Sequence, residues 1–188
     1  MKIYTRKGDD GTTGLLYGGR VRKESVWPAA YGSVDEAQSV LGVARAAAGP
    51  SPLAELIVDV QRDLWVLMAE LATDPANRAK LEPGTGLVTA EMVTNLESII
   101  DAMSAEFDPP TEFVVPGEHL VAAHLDVART VVRRAERDTA TAFGTIPEGS
   151  PAASSQCLAY LNRLSDLLWT LARWQESQAG TSRPSKQA

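Results

Sequence analysis

Between residues 25 and 177 apolar positions recur every three or four residues, and clusters of Gly, Pro and polar residues cut that pattern into five segments. The clearest is the second, roughly 53–73, where Leu56, Val60, Leu64, Leu67 and Leu71 form one stripe at helical spacing. A first helix is expected from about Ser25 to Ala48, ended by Gly49-Pro50-Ser51-Pro52. Within it, Ser33-Val34-Asp35-Glu36 reads either as a capping box or as a polar turn of a helix already under way. A third helix is expected over 89–105, capped by Thr89, with Met92, Leu96, Ile99, Ile100 and Met103 inward. The fourth is expected over 118–143 and the fifth over 152–177, the latter with Leu158, Leu161, Leu164, Leu168 and Leu171. Phe107 to Gly117 is an extended, proline-bounded connection, and no alternating strand is evident.

Long helices with short connections predict an all-α fold, a single domain over 1–188 built as a five-helix bundle. Residues 1–24 precede the bundle (25–177), and 178–188 are polar, aperiodic and expected to form a flexible tail. The formal net charge of −6 argues against general nucleic-acid binding, so any anion site must be local. Cys157 is the only cysteine, which excludes an intramolecular disulfide and a thiolate metal cluster. With neither an apolar leader nor a run of transmembrane length, a soluble, cytoplasmic protein is expected.

Two stretches carry candidate chemistry. Residues 3–23 hold Gly8, Gly11, Gly14, Gly18 and Gly19 among Thr12, Thr13, Arg6, Lys7 and Lys23. Such a loop either links elements or lets backbone N–H groups and cationic side chains approach phosphate. It is not a Walker loop, because Arg20-Val21 follows Gly18-Gly19 where Lys-Ser/Thr is required. The second stretch is Ala128 to Arg137, which places Arg129, Arg133 and Arg137 at i, i+4 and i+8 of one helix face, with Arg134 and Glu136 beside them. Four of the thirteen arginines fall in the nine positions 129–137. Unpartnered, the ladder costs up to about 1 kcal/mol, whereas one hydrogen bond to a charged group returns about 1.5–3 kcal/mol. A solvated basic face, intersubunit salt bridges and an anion site all remain open on spacing alone. Asn162 and Asp166, i and i+4 on the last helix, are either mutually satisfied or aimed at a ligand. His119 and His124 share no helix face, and no thiol or hydroxyl nucleophile has an evident base.

Six blocks in order then carry a resemblance: Tyr4-Thr-Arg-Lys-Gly-Asp-Asp-Gly-Thr-Thr-Gly14, Gly19-Arg-Val-Arg-Lys23, Ala30-Tyr-Gly-Ser-Val-Asp-Glu36, Phe113-Val-Val-Pro-Gly117, Ala128-Arg-Thr-Val-Val-Arg-Arg-Ala-Glu-Arg137 and Leu161-Asn-Arg-Leu-Ser-Asp166. The chain closely resembles the PduO-type ATP:cob(I)alamin (corrinoid) adenosyltransferase family across nearly all of residues 3–173. The resemblance implies a five-helix bundle assembled as a homotrimer with sites between subunits. It implies transfer of the 5′-deoxyadenosyl group of ATP to Co(I) of reduced cobalamin, yielding adenosylcobalamin and triphosphate, with Mg²⁺ held mainly by the phosphates. A non-catalytic corrinoid carrier or nucleotide-sensing bundle is the alternative.

By the same resemblance Thr5, Arg6, Lys7, Gly8, Thr13, Gly14 and Lys23 would bind ATP. Arg133, Arg134, Glu136 and Arg137 would complete the pocket from the neighbouring subunit, with Asn162 also on the nucleotide. Arg133, Glu136 and Phe113 would be the catalytic set, Phe113 keeping the lower cobalt face free of its nucleotide-base ligand. Asp166 would shape the corrinoid side, and Asp35 would pair with Arg129 across the interface. A flavin reductase and an adenosylcobalamin-dependent mutase would be possible partners. Lys7 stands where the family usually has Thr, Glu118 where Gly is usual, and Trp169 where Phe is more common.

Overall fold

The five amphipathic segments become five α-helices, α1 (Val26–Ala48), α2 (Pro52–Leu71), α3 (Ala90–Ser104), α4 (Leu120–Phe143) and α5 (Cys157–Ala179). They are seen in a computed structural model that describes residues 3–185, and the described chain is mostly helical. α4 is the central helix, packed along both α1 and α5; α2 lies against α1 and α3 against α5. Of the stripes read from sequence, Leu56, Ile99, Ile100, Met103 and Leu158 are half-buried, whereas Leu64, Leu67, Leu71, Leu161, Leu164 and Leu168 are buried in the core. Burying each such side chain is worth about 1.5–3 kcal/mol.

Local chemistry sets the helix ends. Ser51 Oγ accepts from Ala54 N with Pro52 in the first turn, and Thr89 Oγ1 accepts from Met92 N, both relieving orphan amides. α1 starts after Ser25, so Ser33 to Glu36 is the polar turn inside a helix and not a cap. Ser33 Oγ there donates to Asp138 Oδ2 at 2.5 Å and ties α1 to α4.

Three expectations need correction. The fifth helix begins at Cys157 and not at 152, because Ser150 caps a separate 3₁₀ turn over Pro151–Ser154. The turn ends where Ser155 Oγ is drawn to buried Glu70 Oε1 at 2.6 Å. Glu70 also accepts from Arg78 Nη2 at 2.6 Å and Val88 N at 2.8 Å, so one carboxylate clamps the α2–α3 and α4–α5 connections. Second, the N-terminal stretch is not strandless: β1 (Thr12–Gly14) and β2 (Arg20–Arg22) pair antiparallel, Thr12 opposite Arg22 and Gly14 opposite Arg20. Tyr17, Gly18 and Gly19 turn the chain between them with φ of 62°, 102° and 91°. Third, the expected tail is partly fastened. α5 continues to Ala179, Val115 N donates to Arg183 O at 2.9 Å, and Ser185 N donates to Phe113 O at 2.7 Å. Residues 1–2 of the expected N-terminal loop and 186–188 of the expected tail lie outside the described residues. No described helix is long and apolar enough to cross a membrane.

Candidate active site

The glycine-rich segment is shaped by its own hydrogen bonds before any ligand arrives. Asp10 Oδ1 accepts from Thr12 N at 2.9 Å and Thr12 Oγ1 at 2.8 Å, and these bonds hold its carboxyl below the ordinary carboxylate range. Arg20 Nη2 donates to Lys7 O at 2.6 Å, and Lys23 N donates to Gly11 O at 2.9 Å, so the segment closes on itself. Leu16 N donates to Ala72 O at 2.9 Å, which anchors the segment to the end of α2. Gly8 is closely approached: an added Cβ would lie 3.1 Å from Lys23 Nζ and 3.2 Å from Thr12 O. Gly8 and Lys23 are thereby brought together. Thr5, Arg6, Lys7 and Gly14 are exposed, Thr13 half-buried, and Arg6 lies 5.5 Å over the Tyr4 ring at φ 61°.

On α4 the ladder divides by partner. Arg133 is exposed, and its guanidinium has no hydrogen-bond or ion-pair partner among the described residues. Arg137 Nη1 donates to Arg133 O at 2.9 Å, which lays its side chain back along the helix. Arg134 Nη2 meets Glu36 Oε2 of α1 at 2.5 Å. Glu136 Oε1 accepts from Asn162 Nδ2 at 3.0 Å, so α4 and α5 present these two residues as a unit. Asn162 and Asp166 are both exposed and pair elsewhere than with each other: Asp166 Oδ2 accepts from Arg163 Nη1 at 2.8 Å. Arg163 in turn reaches Glu97 Oε1 of α3 at 3.0 Å.

Arg129, the first rung, is half-buried and donates through Nε to Asp126 Oδ1 at 3.3 Å within its own helix. Asp35, its expected partner from another subunit, is exposed on α1. Arg129 also lines a cavity of about 730 Å³ with Phe113, Val114, Asp126, Trp169 and Arg173. Phe113 is 88 % exposed, an apolar ring held out on a loop. The loop is held by the strand-like pairing to Arg183–Ser185, and Glu118 Oε1 meets Arg183 Nε at 2.8 Å beside it.

Three residues at the site escaped sequence reasoning. Glu36 sat in the expected polar turn, but its partner is 98 positions away, as the numbers 36 and 134 show. Asp126 and Arg173 looked like ordinary helix residues; their burial, each 4 % exposed, is a property of the α4–α5 contact. Cys157 is fully buried, and burial pushes its thiol well up and away from reactivity.

A helical bundle with a cationic ladder on α4, a self-closed glycine loop and an apolar ring beside the ladder's first rung defines the class, and the chain belongs to the cobalamin adenosyltransferase family: the profile of that description matches residues 3–175. Particular relatives fit closely. The chain is 40 % identical over 176 residues to a corrinoid adenosyltransferase of Citrobacter freundii, covering 94 % of this chain and 96 % of that one. It is 40 % identical over 173 residues to a corrinoid adenosyltransferase of Mycobacterium tuberculosis, covering 92 % and 87 %. Among solved structures it superposes with TM-score 0.85 and 27 % identity on a variant PduO-type ATP:corrinoid adenosyltransferase from Lactobacillus reuteri complexed with cobalamin and ATP, covering 98 % of this chain and 97 % of that one.

Proposed function

We propose that the protein transfers the 5′-deoxyadenosyl group of ATP to Co(I) of a reduced corrinoid. The carrying observation is that relatives named corrinoid adenosyltransferase match over 94 % of the chain at 40 % identity. In this reaction the cobalt electron pair forms the Co–C5′ bond, the C5′–O bond breaks, and triphosphate leaves with the electron pair of that broken bond. Co(I) is the nucleophile, so the site needs no activated Ser, Cys or His; it must orient C5′ in line and stabilise a departing polyanion.

The residues present suit that division of labour. Arg133 offers an unpaired guanidinium to the phosphates, and Lys23 stands against Gly8 in the cradle. Arg134 can join them at small cost: its pair with Glu36 is 42 % and 49 % exposed, and such surface pairs contribute only about 0–1 kcal/mol. A charged hydrogen bond to phosphate returns about 1.5–3 kcal/mol, so the phosphate wins. Glu136, held by Asn162, orients the nucleotide; Arg137, Thr5, Arg6, Lys7, Thr13 and Gly14 complete its pocket. Mg²⁺ rides mainly on the phosphates, which its preference for few protein ligands favours; bound there it neutralises leaving-group charge. Phe113 excludes the lower axial ligand, leaving a four-coordinate cobalt that accepts an electron more readily, and Asp166 shapes the corrinoid side.

The assembly in this reading is a homotrimer in which the loop of one protomer meets the ladder of the next and Asp35 pairs with Arg129. The exposed Phe113, Leu120 and Val127 support a covered face. A flavin reductase upstream and an adenosylcobalamin-dependent mutase downstream fit the substrate and product. Incubation with ATP, Mg²⁺ and chemically reduced cobalamin, followed by the corrin absorption spectrum, tests the activity. Formation of the Co–C chromophore is expected; binding of both ligands without it would leave a carrier or sensor.

A further inference from the structure

The wall of the Phe113 cavity contains more charge than its stability requires. Asp126 of α4 is 4 % exposed, and its two oxygens are divided between two arginines. Oδ2 accepts from Arg173 Nη2 at 2.6 Å and Oδ1 from Arg129 Nε at 3.3 Å. Arg173 of α5 is itself 4 % exposed and also donates through Nη2 to Glu176 Oε1 at 3.1 Å. Its Nε lies 2.9 Å from Glu176 Oε2 without hydrogen-bond geometry, so both atoms are buried and imperfectly satisfied. Asp126, Arg129 and Arg173 all line the cavity, with Phe113 and Trp169 as its apolar walls. A buried ion cluster is no more stabilising than well-packed apolar residues of the same volume, so a core role alone gives no reason for four charges here. Its placement does. Arg129 spends only Nε on Asp126, and its Nη1 and Nη2 make no hydrogen bond among the described residues.

We infer that Asp126 is a positioning residue for the corrinoid side of the site: braced by Arg173, it fixes the Arg129 fork at the cavity wall so that both Nη groups face acceptors supplied from outside the protomer's own fold. This rests on the proposed reaction. One Nη takes the Asp35 carboxylate of the neighbouring protomer, as in the proposed assembly, and the other an amide carbonyl at the rim of the corrin ring. Asp126 sets where the fork stands, and Arg173 sets where Asp126 stands.

Asp126→Asn keeps the shape and removes the charge. The full-length variant should raise the corrinoid KM, and weaken equilibrium binding of cob(II)alamin, about tenfold, the loss of one hydrogen bond to a charged group. The ATP KM should stay within about twofold. In an Arg129→Gln background the same change should add less than about twofold, because the effect travels through Arg129. A folded Asp126→Asn variant with unchanged corrinoid KM and affinity, or with full effect in the Arg129→Gln background, overturns the inference. If the wild type binds cob(II)alamin but forms no Co–C bond, the proposed reaction fails and the binding comparison still decides the role of Asp126. If Asp126→Asn does not fold, the Nε–Hε signal of Arg129 in ¹⁵N-labelled wild type, assigned by its loss in Arg129→Gln, carries the test. Slower solvent exchange than Arg133 Nε–Hε is expected; equal exchange overturns the inference.

Discussion

Arg133→Ala separates activity from stability more cleanly than any other change in the ladder. Arg133 is exposed and its guanidinium is unpaired among the described residues, so folding loses no ion pair when it goes. Its neighbours at i−4 and i+4 are Arg129 and Arg137, and removing the central charge relieves two repulsions of about 0.2–0.5 kcal/mol each. Alanine is also the better helix former by a few tenths of a kcal/mol. The one bond touching this position, Arg137 Nη1 to Arg133 O at 2.9 Å, uses the backbone carbonyl and survives. Thermal unfolding should therefore stay level or rise by a degree or two. Catalysis should fall, because one preorganised donor aimed at developing negative charge is worth about 2.7–4 kcal/mol, or roughly 10²–10³ in kcat. Initial rates of corrin spectral change at saturating ATP, beside a thermal melt of the same preparation, give both numbers. Near-normal kcat with an unchanged melt would refute the placement of Arg133 on the triphosphate.

Phe113→Ala should slow reduction of the bound Co(II) corrinoid, with the ATP KM within about twofold; a large rise in ATP KM would put the ring on the nucleotide side instead. Gly8→Ala should raise the ATP KM, since the new Cβ meets the unyielding Thr12 carbonyl at 3.2 Å and displaces Lys23 Nζ, 3.1 Å away; an unchanged KM would remove the cradle from the ATP site. Glu70→Ala takes the shared acceptor from Arg78, Val88 N–H and Ser155, and should cost about 3–5 kcal/mol in urea unfolding, a loss of about 10 °C in Tm. A loss under about 1 kcal/mol would mean the clamp is not what holds these connections. Asp63 gives a pH dependence: burial holds its carboxyl above the ordinary 3.8, despite the Tyr160 hydroxyl donating to Oδ2 at 2.9 Å. The folded state keeps this proton more tightly, so the contribution is fully present below 3.8 and lost as pH rises through the folded-state value. Asp63→Asn should therefore gain in unfolding free energy on the wild type between about pH 3 and about pH 7; a difference that is flat with pH would contradict the burial argument.

What the sequence made legible follows from range. The leucine stripe of α2 and the Thr89 cap are written within a few residues of each other, and periodicity reads such features directly. Strands β1 and β2 are three residues each, too short for an alternation to register, and their turn depends on positive φ at Tyr17 as well as at Gly18 and Gly19. The pairing of Arg183–Ser185 with Phe113–Val115 joins backbone groups about seventy residues apart, where side-chain pattern carries no signal. The ladder itself was visible, but its partition was not. Arg134 turns to Glu36 because of how α4 packs on α1, which spacing along one helix does not encode. Arg129 and Asp126, by contrast, are an i,i+3 pair of α4 whose burial comes only from the contact with α5. Glu70 shows the same limit: it looks like one more polar residue on an amphipathic helix until Val88 and Ser155 are brought to it.

The account stands on a displacement at C5′ that leaves the three phosphates joined. A single turnover with limiting reduced cobalamin, followed by ³¹P NMR for phosphorus products and by absorbance for the Co–C bond, measures both ends of that step at once. One equivalent of intact triphosphate per equivalent of adenosylcobalamin is the result the reading requires. ADP with inorganic phosphate, or triphosphate released without a Co–C bond, would contradict it.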